Sequence, residues 1–138
     1  MIDTHSHLFV EEFSEDLPQV VQRAKDAGVE RVFMPNIDDE SFGNMMKVCA
    51  QFPGYCYSML GFHPTSVDAS SMGKVLQMKK HLVVGHPFIA IGEVGLDLYW
   101  DKTFLREQQE VLDECSGIRK MLAYELGISY RNQRNSPL

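Results

Sequence analysis

Long apolar runs are absent from this sequence, and none approaches the roughly 20 consecutive apolar residues that a bilayer-spanning helix needs. An acidic residue, Asp3, stands where a secretory leader would be basic or apolar. We therefore expect neither a transmembrane helix nor a signal peptide. These absences predict a cytoplasmic protein without a membrane partner.

Cysteine and surplus positive charge are also scarce. Cys49, Cys56 and Cys115 are odd in number and show no Cys-x-x-Cys spacing, so reduced thiols in a core are expected rather than disulfides or a zinc site. The net charge of -6 is unlike the basic surface with which proteins usually hold phosphate groups. A phosphate substrate would therefore need metal ions as the bridge.

Short apolar runs alternate regularly with longer amphipathic segments, a pattern typical of βα units. We predict strands within residues 1–10, 29–37, 55–64 and 87–97, helices between them, and a last helix from 103 to about 126. Four strands separated by helices imply an α/β fold with one parallel sheet. Residues 127–138 show neither strand nor helix periodicity and are predicted to form a divergent polar tail.

The opening stretch "MIDTHSHLFV" places an aspartate and two histidines at alternate positions. On a strand, Asp3, His5 and His7 would share one face, with the histidine Cα atoms about 7 Å apart. Imidazoles at that spacing can bind one metal ion, and Glu93, at the end of the fourth predicted strand, would complete a His, His, Glu set. Asp3 is expected to accept a hydrogen bond from a ligand imidazole or to hold the bound water.

Each of these residues also has an ordinary structural interpretation. A His-x-His pair by itself fits surface or core histidines equally well, and it is the combination with Asp3 and Glu93 that favours a metal site. His63, in "GFHP", is either functional or a turn histidine before proline. Tyr99 and Trp100 could stack on a base or sugar, or only pack their loop.

Three stretches together, "DTHSHL", "GFHP" and "AIGEVGLDLYWDKTFLREQQ", resemble the TatD family of metal-dependent deoxyribonucleases across residues 1–109. The resemblance implies an amidohydrolase-like (β/α)8 barrel of the TIM type that cleaves DNA phosphodiester bonds with a pair of divalent metal ions. It implies that His5 and His7 bind one metal, that Glu93 bridges both, and that His63 holds the substrate phosphate. The candidate catalytic residues are Glu93, His63 and Asp3.

The sequence also departs from the family pattern. A (β/α)8 barrel takes about 250 residues, and only its N-terminal half is represented here. The later histidines and aspartate that the family uses in its metal site are missing from this sequence, and the polar tail fits a shifted reading frame or a premature stop. We therefore expect a partial TatD-like domain over residues 1–126 that binds at most one ion of Mg, Mn or Zn.

Three functions follow from this sequence, and the leading one is a truncated TatD-like hydrolase acting on DNA with low or absent activity. The second is another amidohydrolase-like activity on a C–N or ester bond, because His-x-His strands serve those enzymes too. The third is a non-catalytic remnant, or a half-barrel that binds metal or a partner chain. Open sheet edges predict self-association in each case.

Overall fold

Four parallel strands form one sheet, and their order across the sheet is their order along the chain. The computed structural model describes residues 1–83, 85–99 and 102–125. The strands and helices of this part are β1 (Ile2–Asp3), α1 (Leu17–Asp26), β2 (Arg31–Pro35), α2 (Asp39–Gln51), β3 (Cys56–Leu60), α3 (Ser71–Lys79), β4 (Ala90–Ile91) and α4 (Leu105–Glu125). This is the parallel α/β sheet that the alternating pattern predicts and the half of a (β/α)8 barrel that the family resemblance implies, so the predicted fold class is confirmed.

The two edge strands are much shorter than predicted. Strand β1 ends at Asp3, so His5 and His7 lie in the loop beyond it and not on a strand face. An edge strand has only one neighbour to pair with, and here the Asp3 carboxylate accepts the His5 N–H at 3.0 Å, which turns the chain. Trp100 and the predicted tail, residues 127–138, lie outside the described residues.

Helix α2 begins with an aspartate cap at Asp38. The Asp38 carboxylate accepts the Ser41 N–H at 2.8 Å, and the Ser41 hydroxyl accepts the Asp38 N–H at 3.3 Å. Reciprocal bonds of this kind form a capping box, and such a cap contributes about 1 kcal/mol to helix stability. The cap also fixes the loop between β2 and α2, which lies at the carboxyl end of the sheet.

Among the residues that the structure describes, the helices cover one face of the sheet. Its helix-facing side packs into a core that the helices complete; members of this core include Val21, Val32, Met34, Met45, Val48, Cys56, Leu60, Val75 and Val111. On the opposite face, Phe33 and Tyr57 meet edge to face at 5.9 Å and stay half-exposed. A closed barrel would fill that inner face with side chains from the remaining strands.

No described helix combines the length and apolar character that crossing a membrane requires.

The thiols provide a test of this core. Burial raises the pKa of Cys56 to about 12 and that of Cys115 to about 11, so both stay protonated at pH 8, where thiolate is the reactive form. In a Cys49→Ser variant, we expect these two thiols to react with a chromogenic disulfide reagent only after guanidinium unfolding. Rapid reaction of both thiols in the native protein would contradict the described packing.

Candidate metal centre

Loops at the carboxyl ends of β1, β3 and β4 bring three histidines around one glutamate. Glu93 Oε2 lies 3.1 Å from His5 Nε2 and 3.4 Å from His7 Nε2. On the other side of the carboxylate, Oε1 lies 3.1 Å from His63 Nε2. Parallel strands carry these loops to the same edge of the sheet, which is why residues almost 90 positions apart in the chain meet here.

The Nε2 atom of His7 faces the glutamate and carries no proton. Its Nδ1 lies 3.1 Å from the Pro35 carbonyl oxygen, which can only accept, so Nδ1 carries the proton and Nε2 a lone pair. Edge-to-face contacts with the His5 ring at 5.0 Å and with Phe9 at 5.6 Å hold the ring in place. Burial lowers the pKa of His7 despite the opposing effect of Glu93, so the neutral ring is favoured.

His63 has the opposite tautomer. Its Nδ1 accepts the Thr65 backbone N–H at 3.1 Å, so the neutral ring carries its proton on Nε2. That Nε2–H points to Glu93 Oε1 and makes His63 a hydrogen-bond donor rather than a metal ligand at this nitrogen. The chain around it is fixed as well, because the His63 N–H donates to the Ile37 carbonyl at 2.6 Å.

The donor set fits a divalent cation. Glu93 Oε2 is shielded from solvent and accepts no hydrogen bond within the described part of the chain, although two imidazole nitrogens lie beside it. A carboxylate oxygen facing the His7 lone pair is two acceptors with no proton between them, and such an arrangement is costly unless a cation satisfies both. One ligand atom each from His5, His7 and Glu93 lies within 4.8 Å of the others, close enough for one ion.

Asp3 occupies a different place from the one expected. Its carboxylate bonds the His5 backbone N–H, and no bond from it to an imidazole is found among the described residues. Asp3 therefore shapes the turn that presents His5. Two other histidines pack on phenylalanine rings: His81 lies tilted against Phe42 at 4.7 Å, and His86 stacks on Phe88 at 5.8 Å.

The loop that follows Glu93 is tied down by α4. Asp97 donates its N–H to Gln108 Oε1 at 2.7 Å, and its carboxylate accepts the Tyr99 N–H at 2.9 Å, as a turn acid does. Gln108 is almost completely buried, so this anchor is shielded from water. Tyr99 is 81% exposed.

Sequence reasoning missed the groups that orient these histidines. The Pro35 carbonyl, the Thr65 amide and the buried Asn36 all act through backbone or amide groups. Only Asn36 leaves a signal in the sequence, since it is a polar residue directly after a buried strand. Which carbonyl meets which ring depends on strand register, which the sequence pattern does not specify.

Three histidines and a glutamate at the carboxyl rim of a parallel half-barrel define a candidate metal centre of the kind that barrel enzymes build there. Comparison with known proteins agrees. The family model for TatD related DNase matches residues 2–126, and the chain belongs to this family.

Similar proteins include both sequence relatives and a solved structure. An uncharacterized metal-dependent hydrolase of Bacillus subtilis, YabD, is 37% identical over 80% of this chain and 43% of its own length. A 3'-5' ssDNA/RNA exonuclease TatD of Pectobacterium parmentieri is 33% identical over 96% of this chain and 50% of its own. The crystal structure of the TatD homolog YjjV from Escherichia coli superposes with a TM-score of 0.72 at 31% identity, covering 88% of this chain and 47% of that one.

The chain thus spans about half the length of the curated relatives it matches. The matched region contains both the strands described above and the residues of the candidate metal centre.

A metal titration tests the centre directly. We expect one Mn²⁺ or Zn²⁺ per chain by calorimetry. Because Glu93→Gln removes the only carboxylate of the set, it should weaken binding by more than the roughly 10- to 100-fold seen when a group supporting a ligand is lost. His81→Ala, which removes an exposed histidine away from the centre, is the matched control. Unchanged affinity in Glu93→Gln, or two ions per chain, would contradict a site of this composition.

Proposed function

We propose that this chain is a TatD-type metal-dependent hydrolase that cleaves phosphodiester bonds in DNA, working with one divalent ion and at low rate. The observation that carries the proposal is the Glu93 carboxylate, with two imidazole nitrogens at Oε2 and an N–H donor at Oε1. This pairs a cation site with a neighbouring hydrogen-bond donor. Those are the two elements that a phosphate group needs for binding.

Each residue has a distinct role in this proposal. His5, His7 and Glu93 hold the ion, which is Mg, Mn or Zn. When bound, such an ion activates water and neutralises phosphate charge. His63 turns its Nε2–H from Glu93 to a phosphate oxygen when substrate enters, and Asp3 supports the reaction by holding the turn that presents His5.

The ion also reconciles the substrate with the protein's charge. A chain with net charge -6 repels DNA, so a metal cation has to supply the local positive charge at the phosphate. The Pectobacterium relative is named a 3'-5' ssDNA/RNA exonuclease, and this supports single-stranded DNA as the substrate, with RNA as a second one. We expect low activity because the described residues gather a ligand set for one ion.

We assign the partial hydrolase domain to residues 1–126 and propose that it works in the cytoplasm. Three free cysteines, two of them buried, support a reducing compartment.

A nuclease assay tests the proposal. A 5'-labelled single-stranded oligonucleotide with Mn²⁺ should be shortened slowly from its 3' end, and a chelator should stop the reaction. His63→Ala should reduce cleavage about 100-fold, the scale for loss of one donor to a developing charge, while leaving the metal affinity unchanged. His81→Ala again serves as the control. Cleavage no greater than in the chelated sample overturns the proposal, and turnover of a small cyclic amide instead would support the other amidohydrolase-like activity.

We also propose that the chain self-associates through the open side of its sheet. In the described part, β1 and β4 each have one neighbouring strand, so each leaves backbone groups on its outer edge unpaired. The inner face adds the half-exposed rings of Phe33 and Tyr57. A second copy of this chain could pair with an open strand edge and bury these two rings.

Light scattering after size exclusion measures this association. We expect a mass above the 15.7 kDa of one chain, and Tyr57→Lys should lower it by placing a charge on the inner face. Leu76→Lys adds the same charge at an exposed position of α3 and should leave the mass unchanged. A monomeric wild-type protein at micromolar concentration would be evidence against the proposal.

A further inference from the structure

Asn36 directly follows β2 and is completely buried, which is uncommon for an amide side chain. Its main chain is bonded to the strand end that carries the glutamate. The Asn36 N–H points to the Gly92 carbonyl at 3.1 Å, and the Asn36 carbonyl accepts the Glu93 N–H at 3.1 Å. Asn36 thus bonds both polar groups of the peptide between Gly92 and Glu93.

The side chain of Asn36 ties in two more segments. Its Nδ2 donates to the Gly61 carbonyl at 2.9 Å and to the Asp38 carbonyl at 2.9 Å. Both partners can only accept, so the amide nitrogen has to face them. The bond to Gly61 fixes the end of β3, and the bond to Asp38 fixes the cap of α2.

Gly61 transmits this restraint to the glutamate. A Cβ atom built on Gly61 would lie 2.3 Å from the Gly92 carbonyl carbon and 2.5 Å from the Glu93 nitrogen, so the two backbone segments are in direct contact. The Gly92 N–H in turn donates to the Leu60 carbonyl at 2.8 Å. Holding Gly61 therefore holds the surface against which the backbone of Glu93 rests.

We propose that Asn36 is a positioning residue for the metal centre. It joins the ends of β2, β3 and β4, and so it sets the Glu93 carboxylate against His5 and His7 without itself touching an ion. A substitution of Asn36 removes no ligand atom, but it changes the positions of the ligand atoms relative to one another. The inference rests on the proposed metal site and extends it to a residue one layer behind the ligands.

Substitution of Asn36 by aspartate tests the proposal with little change in shape. Asn36→Asp replaces the Nδ2 donor with an oxygen that faces two carbonyl oxygens, so both bonds are lost. We expect the Kd for Mn²⁺ or Zn²⁺, measured by calorimetry on the whole chain, to rise about tenfold or more, the scale for groups that orient metal ligands. Asn36→Ser, which keeps one donor, should give a smaller rise.

Two controls separate positioning from general loss of stability. Asn44→Asp makes the same chemical change at an exposed position on α2 and should leave the Kd within twofold of the wild type. Val21→Ala removes buried volume from α1, remote from the centre, and should lower the melting temperature without changing the Kd. Metal affinity and thermal stability are thus read independently.

The outcomes are distinct. Kd values for Asn36→Asp and Asn36→Ser within twofold of the wild type would overturn the positioning role while leaving the metal site in place. If Val21→Ala raised the Kd as much as Asn36→Asp does, the effect would follow general loss of stability and Asn36 would have a purely structural role. A wild-type chain that binds neither metal would instead overturn the proposed site, and the positioning role with it.

Discussion

The carboxylate of Glu93 is the group on which the candidate centre depends. Its Oε2 atom is shielded from solvent between two imidazoles, one of which presents a lone pair because its other nitrogen is bonded to a carbonyl. Such an oxygen needs a hydrogen-bond donor or a cation beside it, and a cation also satisfies the lone pair of His7. The bond between His7 and the Pro35 carbonyl and the bond between His63 and the Thr65 amide determine which ring nitrogens carry protons. They leave one position for a cation.

The half-barrel explains both how the candidate ligands come together at one rim and why surfaces of the described sheet remain open. Its strands bring the loops of β1, β3 and β4 to one rim, so the ligands of one ion are assembled within a single chain. Within the described residues, the same strands leave two open edges and a half-covered inner face where a closed barrel would continue. One architecture thus underlies the candidate metal centre and the proposals of weak catalysis and self-association.

The sequence predicts the elements of the fold well where local chemistry decides them. The four parallel strands and the helices between them follow from the alternating pattern of apolar runs, and the cap of α2 is a local interaction of Asp38 with Ser41. Prediction fails at the lengths of β1 and β4, because pairing with a single neighbour limits an edge strand more than its own residues do. His5 and His7 therefore belong to a loop, although the sequence places them on a strand.

The sequence by itself determined which ligand types are available, since a His-x-His pair and a glutamate after a later strand already indicate a metal-binding set. Only the tertiary structure decided the chemical form of each ring. His7 presents a lone pair at Nε2 and His63 a proton at Nε2, because different groups bond their Nδ1 atoms. Those groups come from strand register and loop packing, long-range contacts that no local pattern of residues encodes.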